Sequence, residues 1–454
     1  MFENIIAQAA ADQLKTDILS NRLAPSMLFF GPQAAGKGST AVELARSLSC
    51  ENGSALWKCD CPACARHRSL VHPDLVMIGP RAFAAEIAAS RSAFLRDPAS
   101  TAGHSLFVRS LRKLVARFAP AVWEYEPRGG RVNPLSLLQS LEEDIDEFET
   151  QAAADTPEKL AGLEKLSETL AKNACKLEDD CMSDTISIAQ IRKAAYWSRL
   201  APLGKRKTLI IENADRMKDE ARNSLLKLLE EPPELLNIVL TVVRRESVLP
   251  TILSRLRPYR FLARSAAEEQ EIIRRVFRDS RAATGAAAGA APGLVAAYLD
   301  SFLPQPPEKI LPLAAFFVAA VARSAAIAAK SRGSLKSSNS AISPMLKALG
   351  SYCAPIAETA GFERAADAQE AIAALLARSN NFEGRSFPRF LALALNLVSW
   401  SFNQYNSDHT IITCGDIWRK RLREAQAAYG VWNQRPELAL ESLFYKLRED
   451  MAAA

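Results

Sequence analysis

The stretch GPQAAGKGST, residues 31–40, carries the groups needed to hold a phosphate. Gly31 and Gly36 let backbone amides close around an anion, and Lys37 adds one positive charge. A loop that hydrolyses nucleotide follows this lysine with Ser or Thr, whose hydroxyl helps to hold the Mg²⁺ that bridges the phosphates. Here Gly38 occupies that position and the first hydroxyl belongs to Ser39. The spacing therefore predicts phosphate contact and places metal-dependent hydrolysis in question.

A second constellation lies in CENGSALWKCDCPAC, where Cys50, Cys59, Cys61 and Cys64 stand at separations x8, x1 and x2. Four thiolates make a closed tetrahedral Zn²⁺ site with no open position for a catalytic water, so the expected role is structural. Such binding supplies on the order of 10–16 kcal/mol in zinc peptides, enough to order a loop that has no core. The single-residue step from Cys59 to Cys61 is shorter than usual, and His67 or His72 is an alternative ligand. Cys175, Cys181, Cys353 and Cys414 are dispersed and read as free structural thiols.

These groups need a scaffold. A chain of 454 residues with 48% apolar and 24% charged residues implies several domains of ordinary globular composition. The longest apolar stretch, Ile310 to Ala329, is interrupted by Pro312, Arg323 and Ser324, and the N-terminus lacks a secretory pattern. A cytoplasmic protein without a membrane span is expected. The net charge of +6 hints only weakly at an acidic partner such as nucleic acid.

Five apolar runs, at Met27, Leu75, Thr208, Ile238 and Tyr259, are spaced as buried strands of an α/β sheet. The first leads into the glycine loop and then a helical pattern, the context a phosphate loop requires. From 81 to 184 the alternation stops and helical patterns intervene, which predicts an inserted helical subdomain. Within it SLFVRSLRKLVARF is amphipathic, with Arg109, Lys113 and Arg117 repeating at i, i+4; a solvated face is expected for them. Leu160, Leu163, Leu166 and Leu170 are expected to pack. Beyond Leu262 the pattern is helical, broken at 285–293, 303–309 and 331–344.

NSLLKLLEEPP at 223–233, together with the glycine loop, the cysteine loop followed by HPDL at 72–75, and TILSRLRPYRF at 251–261, resembles the bacterial DNA polymerase III clamp-loader AAA+ subunits. Within that family it is most similar to the delta-prime type, with gamma or tau as second choice. The resemblance implies a RecA-like AAA+ domain over 1–80 and 185–262 bearing the zinc module, a helical lid over 263–303, and a helical collar for oligomerisation over 304–454. It implies partners as well: the gamma or tau motor subunits, the delta clamp-opening subunit, the sliding clamp and primer-template DNA.

In such assemblies ATP and Mg²⁺ lie between subunits, and the resemblance makes Ser254 and Arg255 an arginine finger for the neighbour's site. A finger of this class is worth roughly 10³–10⁵ in rate. Leu256 stands where the family has cysteine. The family's Asp-Glu pair after the third strand corresponds to Glu212 and Asn213, and the lid arginine to the GAAP of 289–292. The residues therefore imply a non-hydrolytic subunit whose own nucleotide binding is open. Two other readings remain: an active ATPase in which Ser39 and Asp215 replace the missing metal ligands, and a zinc-stabilised DNA-binding adaptor using the basic helix and GKRK at 204–207. Glu230 and Glu231, at a helix C-terminus where the dipole disfavours negative charge, predict a basic partner nearby.

Overall fold

The computed structural model describes residues 1–123, 134–151, 157–183, 185–280, 293–303, 307–331, 342–362, 367–379, 386–403, 409–430 and 434–453. The interruptions expected at 285–293 and 331–344, and with them the GAAP of 289–292, fall almost wholly outside these residues. Two compact units divide the chain, Met1–Leu303 and Pro304–Ala454, so the unit boundary lies in the Pro-rich stretch at 303–309.

All five expected strands form: β1 (Ser26–Phe30), β2 (Leu75–Ile78), β3 (Lys207–Ile211), β4 (Leu236–Val242) and β5 (Arg257–Arg260). They make one parallel sheet in the order β2-β3-β4-β1-β5. The central strands are buried along their whole length, which is why they read as continuous apolar runs rather than alternating ones. Successive side chains nevertheless go to opposite faces. Leu28, Leu209, Ile211, Ile238 and Leu240 pack on α8 (Ile188–Arg199) and α9 (Asp219–Glu230). Met27, Phe29, Ile210, Val239 and Tyr259 pack on α1 (Ala9–Leu19) and α2 (Lys37–Ser49).

Between β2 and β3 run α3's successors: after α3 (Pro62–Arg68) and β2 come α4 (Ala84–Arg96), α5 (Thr101–Val115), α6 (Pro134–Thr150) and α7 (Pro157–Cys181). These four helices enclose their own core of Phe83, Phe94, Phe107, Leu141, Phe148, Leu163 and Leu170, so the leucine row packs inward. Glu178 on α7 accepts from the amides of Phe83 (3.0 Å) and Ala84 (2.9 Å), satisfying two donors at the start of α4. After β5, α10 (Ala266–Val276) begins with a capping box of Ser265 and Glu268. With α11 (Leu294–Asp300) it packs on α4 through Ala89, Ile273, Phe277, Val295 and Tyr298.

The second unit contains six helices among the described residues: α12 (Pro307–Ser331), α13 (Ile342–Glu358), α14 (Ala368–Arg378), α15 (Ser386–Asn403), α16 (His409–Gly430) and α17 (Pro436–Ala453). Helix α12 runs straight through Pro312, Arg323 and Ser324, which interrupt the composition without interrupting the helix. Its segment Lys309–Ala328 is long and apolar enough to cross a membrane, yet 72% of it is buried within the unit, where Phe317 meets Phe390 and Phe444. It is the central helix of a bundle.

Candidate nucleotide pocket and metal centre

The glycine loop joins β1 to α2 with three residues at positive φ: Gly31 (146°), Ala34 (55°) and Gly36 (89°). Gly31 has no alternative, because a Cβ there would run into the backbone carbonyl of Phe261. Lys37 opens α2 and folds its ammonium onto the loop, donating to the carbonyls of Gly31 (2.7 Å) and Pro32. Burial lowers the Lys37 pKa to about 8, with the charge of Glu212 pulling it partly back.

Gly38 faces the end of β3. A Cβ built on it would lie inside 3.0 Å of Glu212 Oε1, a separation real Cβ atoms essentially never show, and 3.3 Å from Arg81 Nη1. Glu212 is itself claimed by two guanidinium groups. Arg81 Nη1 donates to Oε1 (3.1 Å) and Arg117 Nη2 to Oε2. Burial would raise the Glu212 carboxyl, and Arg81 and Arg117 overcome it and hold the pKa below its usual value. The cluster continues through Glu86, which Arg81 and Lys113 both contact.

Among the other expected residues of this pocket, Ser39 is exposed and Asp215 lies on a short 3-10 turn, Ala214–Arg216, where its carbonyl accepts from Arg222 (3.2 Å). Asn213 sits in the left-handed region and donates to the carbonyl of Pro80 (2.6 Å). Thus Lys37, Gly38 and Glu212 are brought together, with Arg81 and Arg117 added. Arg264 was also unforeseen: from the segment after β5 it donates to the carbonyls of Ile6 (3.0 Å) and Ala34 (3.1 Å), tying the N-terminal segment to the glycine loop.

The basic face of α5 is not solvated as expected. Arg109 donates to the carbonyl of Arg68 and lies over the Trp57 ring, Lys113 pairs with Glu86, and Arg117 just beyond the helix reaches Glu212. The i, i+4 repeat holds, but the stripe it makes is turned inward, where Lys113 and Arg117 pair with the partly buried Glu86 and the buried Glu212. GKRK is likewise engaged: Lys205 donates to the carbonyl of Cys50 (2.6 Å), Arg206 to Asn237 (3.2 Å) and Lys207 to the carbonyl of Trp197 (2.6 Å). The named cations of both motifs thus have partners within the chain.

The four cysteines converge. Their Sγ atoms all lie within 4.8 Å of one another and all four residues are buried, an arrangement that could hold a metal ion such as zinc. The short step is accommodated because Cys61 is extended (φ −58°, ψ 149°) as the residue preceding α3, with Pro62 starting the helix. Burial alone would raise the Cys61 thiol, but backbone hydrogen bonds from Cys64 and Glu51 bring it down to about 6. The sulfur set needs neither histidine: His67 and His72 stack on each other, ring centroids 4.1 Å apart. Arg46 on α2 donates to Cys64 Sγ (3.1 Å) while forking Glu43 (2.8 and 2.6 Å), joining the cysteine loop to the helix behind the glycine loop.

At the opposite end of α9, Arg255 donates to Glu230 Oε1 (2.7 Å), supplying the basic partner that the helix C-terminus requires. Arg257 forms an ion pair with Asp17 (2.8 Å).

No curated protein matches this chain. Among solved structures it is similar to a DNA polymerase III gamma subunit-related protein from Thermotoga maritima, at 14% identity over 97% of this chain and 100% of that one, with a TM-score of 0.30, too low to bear on the fold. The family described as "DNA polymerase III, delta subunit" matches residues 6–119 and 142–265. The match takes in the sheet, the glycine and cysteine loops and most of the helices between β2 and β3, leaving out only 120–141 of the stretch from 81 to 184. Spanning more than half of the sequence, it places this chain in that family, as a clamp-loader-type subunit of DNA polymerase III.

Proposed function

We propose that this clamp-loader subunit does not hydrolyse ATP in its own pocket and instead serves a neighbour's. The observation that carries this reading is the approach of Gly38 to Glu212. A hydroxyl-bearing side chain there would have to displace the Glu212 carboxylate, and that carboxylate, which would face a metal, is already bonded to Arg81 and Arg117. Two of the groups that manage Mg²⁺ in a hydrolysing site are therefore missing or committed.

Arg255 is the group offered outward. It and Ser254 lie at the end of the short turn Pro250–Leu253, both exposed, and the guanidinium is held only by partly exposed partners. A planar fork at a subunit boundary can meet the charge that develops on a transferring phosphoryl group. On this reading the partners are the motor and clamp-opening subunits, the sliding clamp and primed DNA, in the cytoplasm. Residues 304–454 form the collar, 263–303 the lid, and zinc is the structural metal of Cys50, Cys59, Cys61 and Cys64.

The test is reconstitution. The purified chain alone should show no ATP turnover with Mg²⁺ and primed DNA, and should co-purify with the motor subunits. Turnover by the chain alone that Lys37→Ala abolishes would refute the reading.

A further inference from the structure

The helices between β2 and β3 pack around their own core, and charged side chains of the same segment reach the glycine-loop pocket. In a metal-using phosphate pocket, the loop hydroxyl and the acid after the third strand face each other across a divalent cation, which requires near-octahedral oxygen ligands. This chain does not fit that ion. Gly38 supplies no side-chain oxygen, and both Glu212 oxygens accept from guanidinium groups.

The cations come from the segment between the strands. Arg81 lies three residues beyond the end of β2 and Arg117 two beyond the end of α5. Arg117 is 5% exposed and also donates through Nη1 to the carbonyl of Ile78 (3.1 Å), which locks it to the end of β2. Lys113, one turn earlier, neutralises Glu86 together with Arg81. Beside the glycine loop, Lys37, Arg81, Lys113 and Arg117 thus face Glu86 and Glu212, an excess of positive charge without any metal.

We propose that Arg81 and Arg117 stand in the place of the divalent cation, as a tethered positive charge that β3's acid and the glycine loop are built around. The proposal rests on the non-hydrolytic reading and deepens it: the segment between β2 and β3 converts a metal-dependent pocket into a metal-independent structural joint. Gly38 is then the adjustment that makes space for the Glu212–Arg81 contact.

Mn²⁺ is the probe, titrated into the full-length chain and followed by electron paramagnetic resonance, with and without ATP. The proposal expects no Mn²⁺ retained beyond what ATP alone carries. Mn²⁺ that is retained by the chain and released in Glu212→Gln overturns the cation replacement alone. ATP turnover overturns it together with the function on which it rests. A thermal cycle gives an independent reading: Arg117→Gln and Glu212→Gln should each lower the midpoint by about 5 °C or more, and the double variant by less than their sum. Strict additivity would overturn the pairing. Should Arg117→Gln fail to fold, the Mn²⁺ titration of the unmodified chain still decides.

Discussion

Arg255 Nη2 lies 2.7 Å from Glu230 Oε1, so the residue proposed to serve a neighbouring site is paired within its own chain to the end of α9. A second bond, from Nη1 to the carbonyl of Thr251 (2.6 Å), orients the same guanidinium. The pair is partly exposed, at 34% and 50% for the two side chains, and such pairs contribute about 1 kcal/mol or less. Glu230 can therefore aim the arginine without holding it against a phosphate. Arg255→Ala should change stability by no more than about 1 kcal/mol. In the assembled complex it should slow turnover at the adjoining site by roughly 10³-fold or more. Single-turnover ATP hydrolysis by the reconstituted complex measures this, and an unchanged rate would remove Arg255 from the role. Arg255→Lys keeps the charge but not the fork, and should recover only part of the rate.

Gly38→Ser tests the pocket from the other side. The new Cβ must displace the Glu212 carboxylate or the start of α2, and overpacking of this kind costs about 1–3 kcal/mol. Urea unfolding should show that loss, and ATP turnover should remain absent even though the missing hydroxyl has been supplied. A variant as stable as the parent chain would mean that Glu212 is free to move and that the contact does not govern this position.

The sequence carried the inner strands β1, β3 and β4 because they are buried on both faces and so read as largely apolar runs, whereas the edge strand β5 buries only Tyr259; it carried the cysteine site because four sulfur atoms in one short loop have few other uses. What it hid is instructive. Arg109, Lys113 and Arg117 show the spacing of a solvated helix stripe, and nothing local distinguishes that stripe from one turned onto carboxylates in the interior of the fold. The deciding residues, Glu86 and Glu212, come from distant positions, so only the tertiary fold brings them to the same place. Arg264 was invisible for the same reason: its partners are backbone carbonyls, which any residue could supply. The departure at Gly38 was legible, whereas the Glu212 carboxylate that faces it was not.

Lys37 gives a pH signature. Its pKa falls from 10.5 to about 8 because burial penalises the charged form, while Glu212 offsets part of that penalty. Between these two values the unfolded chain binds the proton and the folded one does not, so stability contributed at this site rises with pH across the window. The penalty is fully present below about pH 8 and is on the order of 3 kcal/mol at most. Unfolding of the parent chain compared with Lys37→Met should diverge over this range, the parent gaining stability relative to the variant as pH rises. A constant difference from pH 8 to 10.5 would show that the ammonium is not penalised by burial.

Arg46 links the cysteine site to the glycine-loop helix, and its removal should be felt at both. It is 1% exposed, forks Glu43, and donates to the carbonyls of Ala55 (2.6 Å) and Leu56 (3.0 Å) as well as to Cys64 Sγ. Arg46→Met leaves Glu43 buried without its cation, a loss of about 3–5 kcal/mol. That much is structural and says nothing about metal. The sulfur contact adds a separate effect, because a donor beside a ligating thiolate orients it and tunes its basicity, and such partners alter metal affinity about 10–100-fold. The purified chain is expected to carry about one equivalent of zinc, which a chelator should remove faster from Arg46→Met than from the parent. Co²⁺ substitution separates the two effects: the sulfur-to-metal charge-transfer band should shift in Arg46→Met and return toward the parent position in Arg46→Lys, which restores a donor without the fork. An unshifted band with zinc fully retained would confine Arg46 to its ion pair with Glu43.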